Sequence, residues 1–301
     1  MGRDQEDLAD VCAELDAFFR IDAMGPDLPF SRLLPAVYRD AGIDLQAHFT
    51  PVFLQRFHGL MVRAGRSVER IYTAVFCSDE IVAKLLSCGA QNALLICHHP
   101  IVMETSNRGF LPLSGASLAA LQESGLSVYV LHTPLDVHAT VSPSRALARS
   151  LGLTALEPWF EGPEGTVALY GRLPAPIQFE ALLALVRETT GVPDPHFVRN
   201  HRSAQKVAVL GGGIDVSGIQ EAEGLGCDVL ATGTYWNQVQ TEIGKGYRRE
   251  FTAIRDSLRI SLIECSHYAS EAVVMREDVV ELCEARFGLP CAFVPQDDPW
   301  Y

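Results

Sequence analysis

The sequence has no run of about 18 apolar residues, the length a helix needs to span a bilayer, so no membrane-spanning helix is expected. Its first residues, MGRDQEDLADVCAELDAFFR, are acidic and amphipathic and lack the apolar centre of a signal peptide. Basic charge is scarce: 24 Lys and Arg stand against 37 Asp and Glu, a formal net charge of −13. No basic stripe offsets that excess, so neither nucleic acid nor an anionic membrane surface is expected as a partner. None of the eight cysteines forms a CxxC pair, and zinc-ribbon spacing is absent. Most lie in apolar runs such as ALLIC and SLIEC. They read as small buried hydrophobes in a reducing compartment, which with the missing signal peptide points to the cytoplasm. Hydrophobic residues at 48% against 20% charged give a chain able to bury a sizeable core.

What is present is an alternation of apolar runs and helical periods. IYTAVFC (71–77) reads as a buried strand, followed by a helix from Asp79 to Cys88, the strand ALLIC, a helix over Ser114–Ser124 and the strand SVYVLH. A short helix, Ser144–Leu151, comes next. Residues 156–166 (LEPWFEGPEGT) read as a linker, VALYGRL as a strand, Gln178–Thr190 as a helix and residues 191–204 as irregular. At Lys206 the alternation restarts with KVAVLGGG, a helix over Val216–Gly224, CDVLATG, an amphipathic stretch Trp236–Ser257, RISLIEC and a final helical stretch from His267. The two halves look alike, as an internal duplication would. The expected fold is α/β with two similar lobes, each a mixed or mostly parallel sheet flanked by helices. Residues 1–155 would form the first lobe, 156–205 a linker with a strand–helix segment, and 206–301 the second lobe.

Ligands of open α/β sheets bind beyond the carboxyl ends of the strands. The chain places its candidate metal ligands there. His98 and His99 close ALLIC and precede Pro100, which ends the strand, so both imidazoles can turn to one side. His132 and Asp136 follow the next strand; the Asp136 carboxylate suits a hard or borderline cation, and His132 is open to three roles, as a ligand, a proton shuttle or a support behind the ligands. His267 and Glu271 follow RISLIEC, with Ser266 placed to cap a helix and the pair four apart on one face. The pair can chelate one ion, or Glu271 can bridge two. Each group alone also suits a surface or capping role; their joint placement at strand exits favours a metal centre in the cleft between the lobes. GGG at 211–213 invites a dinucleotide reading, but the third glycine of GxGxxG would be Val216, so a close-packed turn is expected. Arg108 could meet a substrate anion. Lys245, Arg248, Arg249 and Arg255 read as a solvated helix face, with a lid or oligomer interface as the alternative.

LLICHHPI, YVLHTPLD, DVLATG and SHYASE, in that order, resemble the NIF-three-like family, often named GTP cyclohydrolase 1 type 2 or dinuclear metal centre proteins. The resemblance covers about residues 70–275. It implies one divalent metal on His98, Asp136 and Glu271 and a second on His99, His267 and Glu271, with Glu271 bridging. It also implies a two-lobed α/β protein assembling from dimers, commonly as a hexamer. Pro134 stands where the family often has Asn, Ser266 where it has Gly, and TYWNQVQ where a His often follows the Thr-Gly.

Three protein ligands per ion leave open coordination positions, the mark of catalytic sites. Imidazole with carboxylate suits Zn, Fe, Mn or Co. Water between two such ions has a strongly lowered pKa and supplies a nucleophile at neutral pH. The expected function is a metal-dependent hydrolase acting on a nucleotide-like or other small polar metabolite through a metal-bound hydroxide, with His132 as candidate proton shuttle. The alternatives are a non-catalytic metal-binding scaffold and a specialised biosynthetic enzyme built on the same centre.

Overall fold

The computed structural model describes residues 5–162 and 164–301. Two compact units divide the chain. One holds the described residues up to Met103, then Phe110–His138 and Met275–Asp297; the other holds Glu104–Gly109, Ala139–Val274 and Asp298–Tyr301. The boundaries expected at 155 and 205 both fall inside the second unit.

The first unit opens with α1 (Leu8–Phe18) and α2 (Leu28–Asp40), capped by Asp7 and Asp27. Strands β1 (Gly59–Val62) and β2 (Arg70–Phe76) follow. Ser78 then caps α3 (Asp79–Ser87): the Ile81 N–H donates to its Oγ at 3.1 Å, and Asp79 and Glu80 complement the positive helix end. Gly89, at φ +74°, closes the helix. β3 (Ala93–His99) is buried at every position, as a strand covered on both faces requires. α4 (Gly115–Glu123), capped by Ser114, leads to β4 (Ser127–Val130) and a single helical turn, α5 (Thr133–Asp136).

The second unit continues with α6 (Pro143–Ser150), β5 (Thr154–Gly162) and β6 (Gly165–Gln178). β5 and β6 pair antiparallel, so residues expected as a linker belong to a hairpin. Pro158 and the glycines suggested a break, yet the hairpin lies at the sheet edge, where a missing N–H costs no ladder bond. α7 (Phe179–Thr190) and β7 (His196–Val198) come next; β7 lies in a stretch expected to be irregular. Then follow β8 (Ser203–Gly213), α8 (Val216–Gly224), β9 (Val229–Thr234), α9 (Glu242–Ile254) and β10 (Ser261–Glu264). The final helical stretch is two helices, α10 (His267–Arg276) and α11 (Asp278–Phe287), broken at Glu277, and the chain crosses back to the first unit at Met275. β11 (Cys291–Phe293) ends that unit.

The first unit's sheet has the order β11-β2-β3-β4-β1, with β1 antiparallel and the rest parallel. The second has β7-β10-β9-β8-β6-β5, with β8, β9 and β10 parallel. One four-strand motif occurs in both. Three parallel strands lie side by side in chain order, and an antiparallel strand that precedes them in sequence edges the third. Alternation along β8 feeds two cores: Val207 and Val209 pack with α6 and α7, while Ala208 and Leu210 pack with Ile219 and Phe251 of α8 and α9. Burying a Val or Leu fully contributes about 1.5–3 kcal/mol, so Val209→Asp is expected to unfold the second unit. Among the described residues no helix is long and apolar enough to cross a membrane.

Candidate metal centre

The first unit gathers four donors at the exits of β3 and β4. The strand ends at Pro100 as expected, but the ladder still includes the histidines expected beyond it; His99 pairs with Phe76, and its carbonyl accepts the Cys77 N–H at 2.9 Å. Even so, the two imidazoles lie 4.3 Å apart, centroid to centroid, at 71°. Both are buried. The His98 Nδ1–H donates to the Leu131 carbonyl at 2.7 Å. That bond leaves Nε2 as the lone-pair nitrogen, and it faces Asp136 Oδ1 at 3.4 Å. His99 stacks on Phe76 at 5.0 Å.

His132 begins the turn α5, which carries Asp136 round so that their side chains share a face; His132 Nε2 lies 3.9 Å from Asp136 Oδ2. His98, His99 and His132 each offer a nitrogen within 4.8 Å of the others. Behind His132 stands a residue the sequence reading missed. Asp27 is buried, and its Oδ2 accepts from His132 Nδ1 at 2.5 Å and from the Thr133 hydroxyl at 2.9 Å. Burial pushes the Asp27 carboxyl up, but the His132 charge, its hydrogen bond and those from the Phe30 N–H and Thr133 hold it well below the usual carboxylate range. Burial likewise pushes the His132 ring down, and Asp27 raises it above its ordinary value.

The second unit contributes the pair on α10. Ser266 caps that helix as expected, accepting the Ala269 N–H at 3.3 Å, while its own hydroxyl donates to Asp298. Its φ of +69° is left-handed, the conformation glycine adopts most easily, which accounts for glycine as the common residue here in the resembled family. His267 Nε2 lies 3.1 Å from Glu271 Oε1, and its ring stacks on Trp300 at 5.0 Å.

The glycine run is explained by this pair. Gly212 sits at φ +85°, and a Cβ there would come within 2.8 Å of Glu271 Oε1 and 3.5 Å of His267 Nε2. The turn therefore makes room for two side chains, and no phosphate role is needed.

A second missed residue, Glu264, ends β10 fully buried. It accepts the N–H groups of Tyr235 at 2.8 Å, Trp236 at 2.6 Å and Asn237 at 3.1 Å, plus the Asn237 amide at 2.5 Å. Burial still raises its pKa above the ordinary glutamate value. The only sequence signal was an acid closing an apolar strand. Arg108 is engaged by Glu104 through two bonds of 2.8 and 2.7 Å. In the amphipathic stretch the helix starts only at Glu242; Lys245 pairs with Glu242, and Arg248 donates to the Trp236 carbonyl at 3.0 Å.

Neutral imidazole nitrogens and carboxylate oxygens at these separations are a donor set for a borderline divalent ion. Both units thus carry His and acidic groups that could hold a metal. A model of the Duf34/NIF3 family (NGG1p interacting factor 3) matches residues 55–299. A GTP cyclohydrolase 1 type 2 homolog of Pyrococcus abyssi is 30% identical over 243 residues, 79% of this chain and 88% of its own length. One from Halobacterium salinarum is 31% identical over 245 residues, again 79% and 88%. Among solved structures, protein ybgI, described as of unknown function, superposes with a TM-score of 0.70 at 19% identity, covering 98% of this chain and all of that one. Reduced HcgD from Methanocaldococcus jannaschii gives 0.64 at 18% identity, covering 97% and 99%. The chain belongs to the Duf34/NIF3 family.

Proposed function

We propose that this member of the Duf34/NIF3 family holds two divalent metal ions and hydrolyses a small anionic metabolite. In this reading His98 and Asp136 hold one ion, His99 and His267 the other, and Glu271 serves both. The observation that carries it is the prepared state of His98: one ring nitrogen is committed to a backbone carbonyl, and the other is aimed at a carboxylate 3.4 Å away in a buried setting. The relatives named GTP cyclohydrolase 1 type 2 homolog support an enzyme.

When bound, two such ions supply Lewis acidity and a water of lowered pKa. The chain's own residues do the rest. The Leu131 carbonyl fixes the His98 tautomer. Phe76 holds the His99 ring by stacking, as Trp300 holds His267. Gly212 leaves the Glu271 carboxylate its place. Charge sets the substrate class: the ions would offset the acidic chain and attract an anion.

Metal analysis of purified protein, with turnover of a panel of nucleotides and phosphoesters, tests this directly. About two ions per chain and hydrolysis of an anionic substrate are expected. Unchanged metal content in His99→Ala and Glu271→Ala would sink the ligand assignment. Full metal content with no turnover across the panel would favour the scaffold alternative.

A further inference from the structure

Asp27 divides its two oxygens between two tasks. Oδ1 accepts the Phe30 N–H at 3.0 Å and caps α2. Oδ2 faces the His132 ring at 2.5 Å. An ionised carboxylate only accepts, so His132 Nδ1 carries the hydrogen, and the neutral ring keeps its lone pair on Nε2. Phe30, one turn along the same helix, packs edge-on against the rings of His132 at 4.6 Å and His99 at 5.9 Å. One segment therefore both holds and walls the imidazoles. That segment precedes residue 55, where the family match begins, so nothing in the family assignment carries it.

Nε2 of His132 lies 3.9 Å from Asp136 Oδ2, and Nε2 of His98 lies 3.4 Å from Asp136 Oδ1. Two ligand atoms about 2.1 Å from one tetrahedral ion stand about 3.4 Å apart. The three side chains therefore span the size of a single coordination sphere.

We infer that Asp27 is a positioning residue: it fixes His132 so that Nε2 takes a coordination position on the ion held by His98 and Asp136. Of the roles the sequence leaves open for His132, this selects ligand over proton shuttle. Carboxylate partners of metal-bound imidazoles are worth about 10–100-fold in affinity. This rests on the metal reading above.

The test titrates the metal-free protein with Co²⁺ and follows the visible absorption bands, which report coordination, alongside bound-metal analysis. Asp27→Ser keeps a capping hydroxyl for α2 but withdraws the carboxylate from His132. It is expected to weaken one ion by about 10–100-fold and to shift its bands in the same direction as His132→Ala. Asp27→Asn, whose amide oxygen can still accept from Nδ1–H, is expected to recover part of the loss. Wild-type affinity and bands in Asp27→Ser overturn the inference. So does an unchanged spectrum in His132→Ala, which decides the matter even if Asp27→Ser fails to fold. If the wild-type protein itself takes up no Co²⁺, the metal reading fails and this inference falls with it, an outcome distinct from a wild type that binds and an Asp27→Ser variant that binds equally well.

Discussion

In the first unit the middle one of three parallel strands, β3, ends in two imidazoles; in the second unit the corresponding strand, β9, ends in Gly233 and Thr234. The third strands diverge in the same way. β4 is followed by His132 and Asp136, β10 by His267 and Glu271, so both units place a His and an acid four residues apart on a helical turn. What the strand ends carry in addition to each pair differs. Imidazoles stand there in the first unit. In the second, a buried carboxylate, Glu264, gathers the backbone amides of Tyr235, Trp236 and Asn237. One strand order thus supports two uses of a polar exit: presenting donors, or clamping a loop. The difference teaches that topology sets where a site can be, while a few residues at the strand ends decide whether it is one.

The comparison can be broken at its clamp. Glu264→Ala would leave several buried amide donors without an acceptor, and a loss of about 3–5 kcal/mol is expected from urea denaturation. A loss below 1 kcal/mol would show that the loop does not depend on Glu264. Gly212→Val is the next largest. Its left-handed backbone costs about 1–3 kcal/mol for a side chain, and the new methyl groups collide with Glu271. Because Glu271 serves both ions, metal analysis should show the ion at His267 weakened most and the ion at His98 less, so equal loss of both would erase the distinction between the two donor groups.

Acid should act through His58 of the first unit. It is buried, and neither ring nitrogen has a hydrogen-bond partner. Burial lowers its pKa to about 4, with Arg56 and His132 adding to the effect and Asp27 opposing it. The folded protein therefore binds this proton less readily than the unfolded chain does. Stability is complete above the ordinary histidine pKa and falls as pH drops from there toward about 4. The expected loss is about 2 kcal/mol after allowance for solvent screening. It should appear in the difference between wild type and His58→Leu measured at each pH and be absent from the variant itself. The smallest effect is at the surface: Lys84→Met removes the ion pair with Glu80 on α3 and should cost about 0.3–0.5 kcal/mol, measured by thermal melting.

Much of this was legible in the chain. Apolar runs with capping serines and closing glycines marked α3, β3, α4 and β4 to within a residue or two. Their repetition after Lys206 foretold the shared strand order. The errors have physical causes. Pro158 and neighbouring glycines resemble a linker, yet an edge hairpin tolerates them. The strand ends at Pro100 as expected, but the histidines expected beyond the last ladder bond are still in the ladder, since β3 pairs through His99. Asp27 escaped notice because an aspartate before a helix is an ordinary cap, and its second oxygen leaves no mark in the sequence.

The sequence by itself determined the alternation of strands and helices, the placing of His98, His99, Asp136, His267 and Glu271 at strand exits, and the glycines that permit close approach there. Spacing suffices for these, because periodicity and backbone freedom are local properties. Tertiary structure alone decided that Asp27 holds His132, that Gly212 makes room for Glu271, and that Glu264 serves a loop. Each joins residues between 27 and 105 positions apart, or 59 apart for Gly212 and Glu271. Only the pairing of distant segments within a packed sheet brings such atoms within hydrogen-bonding or van der Waals reach.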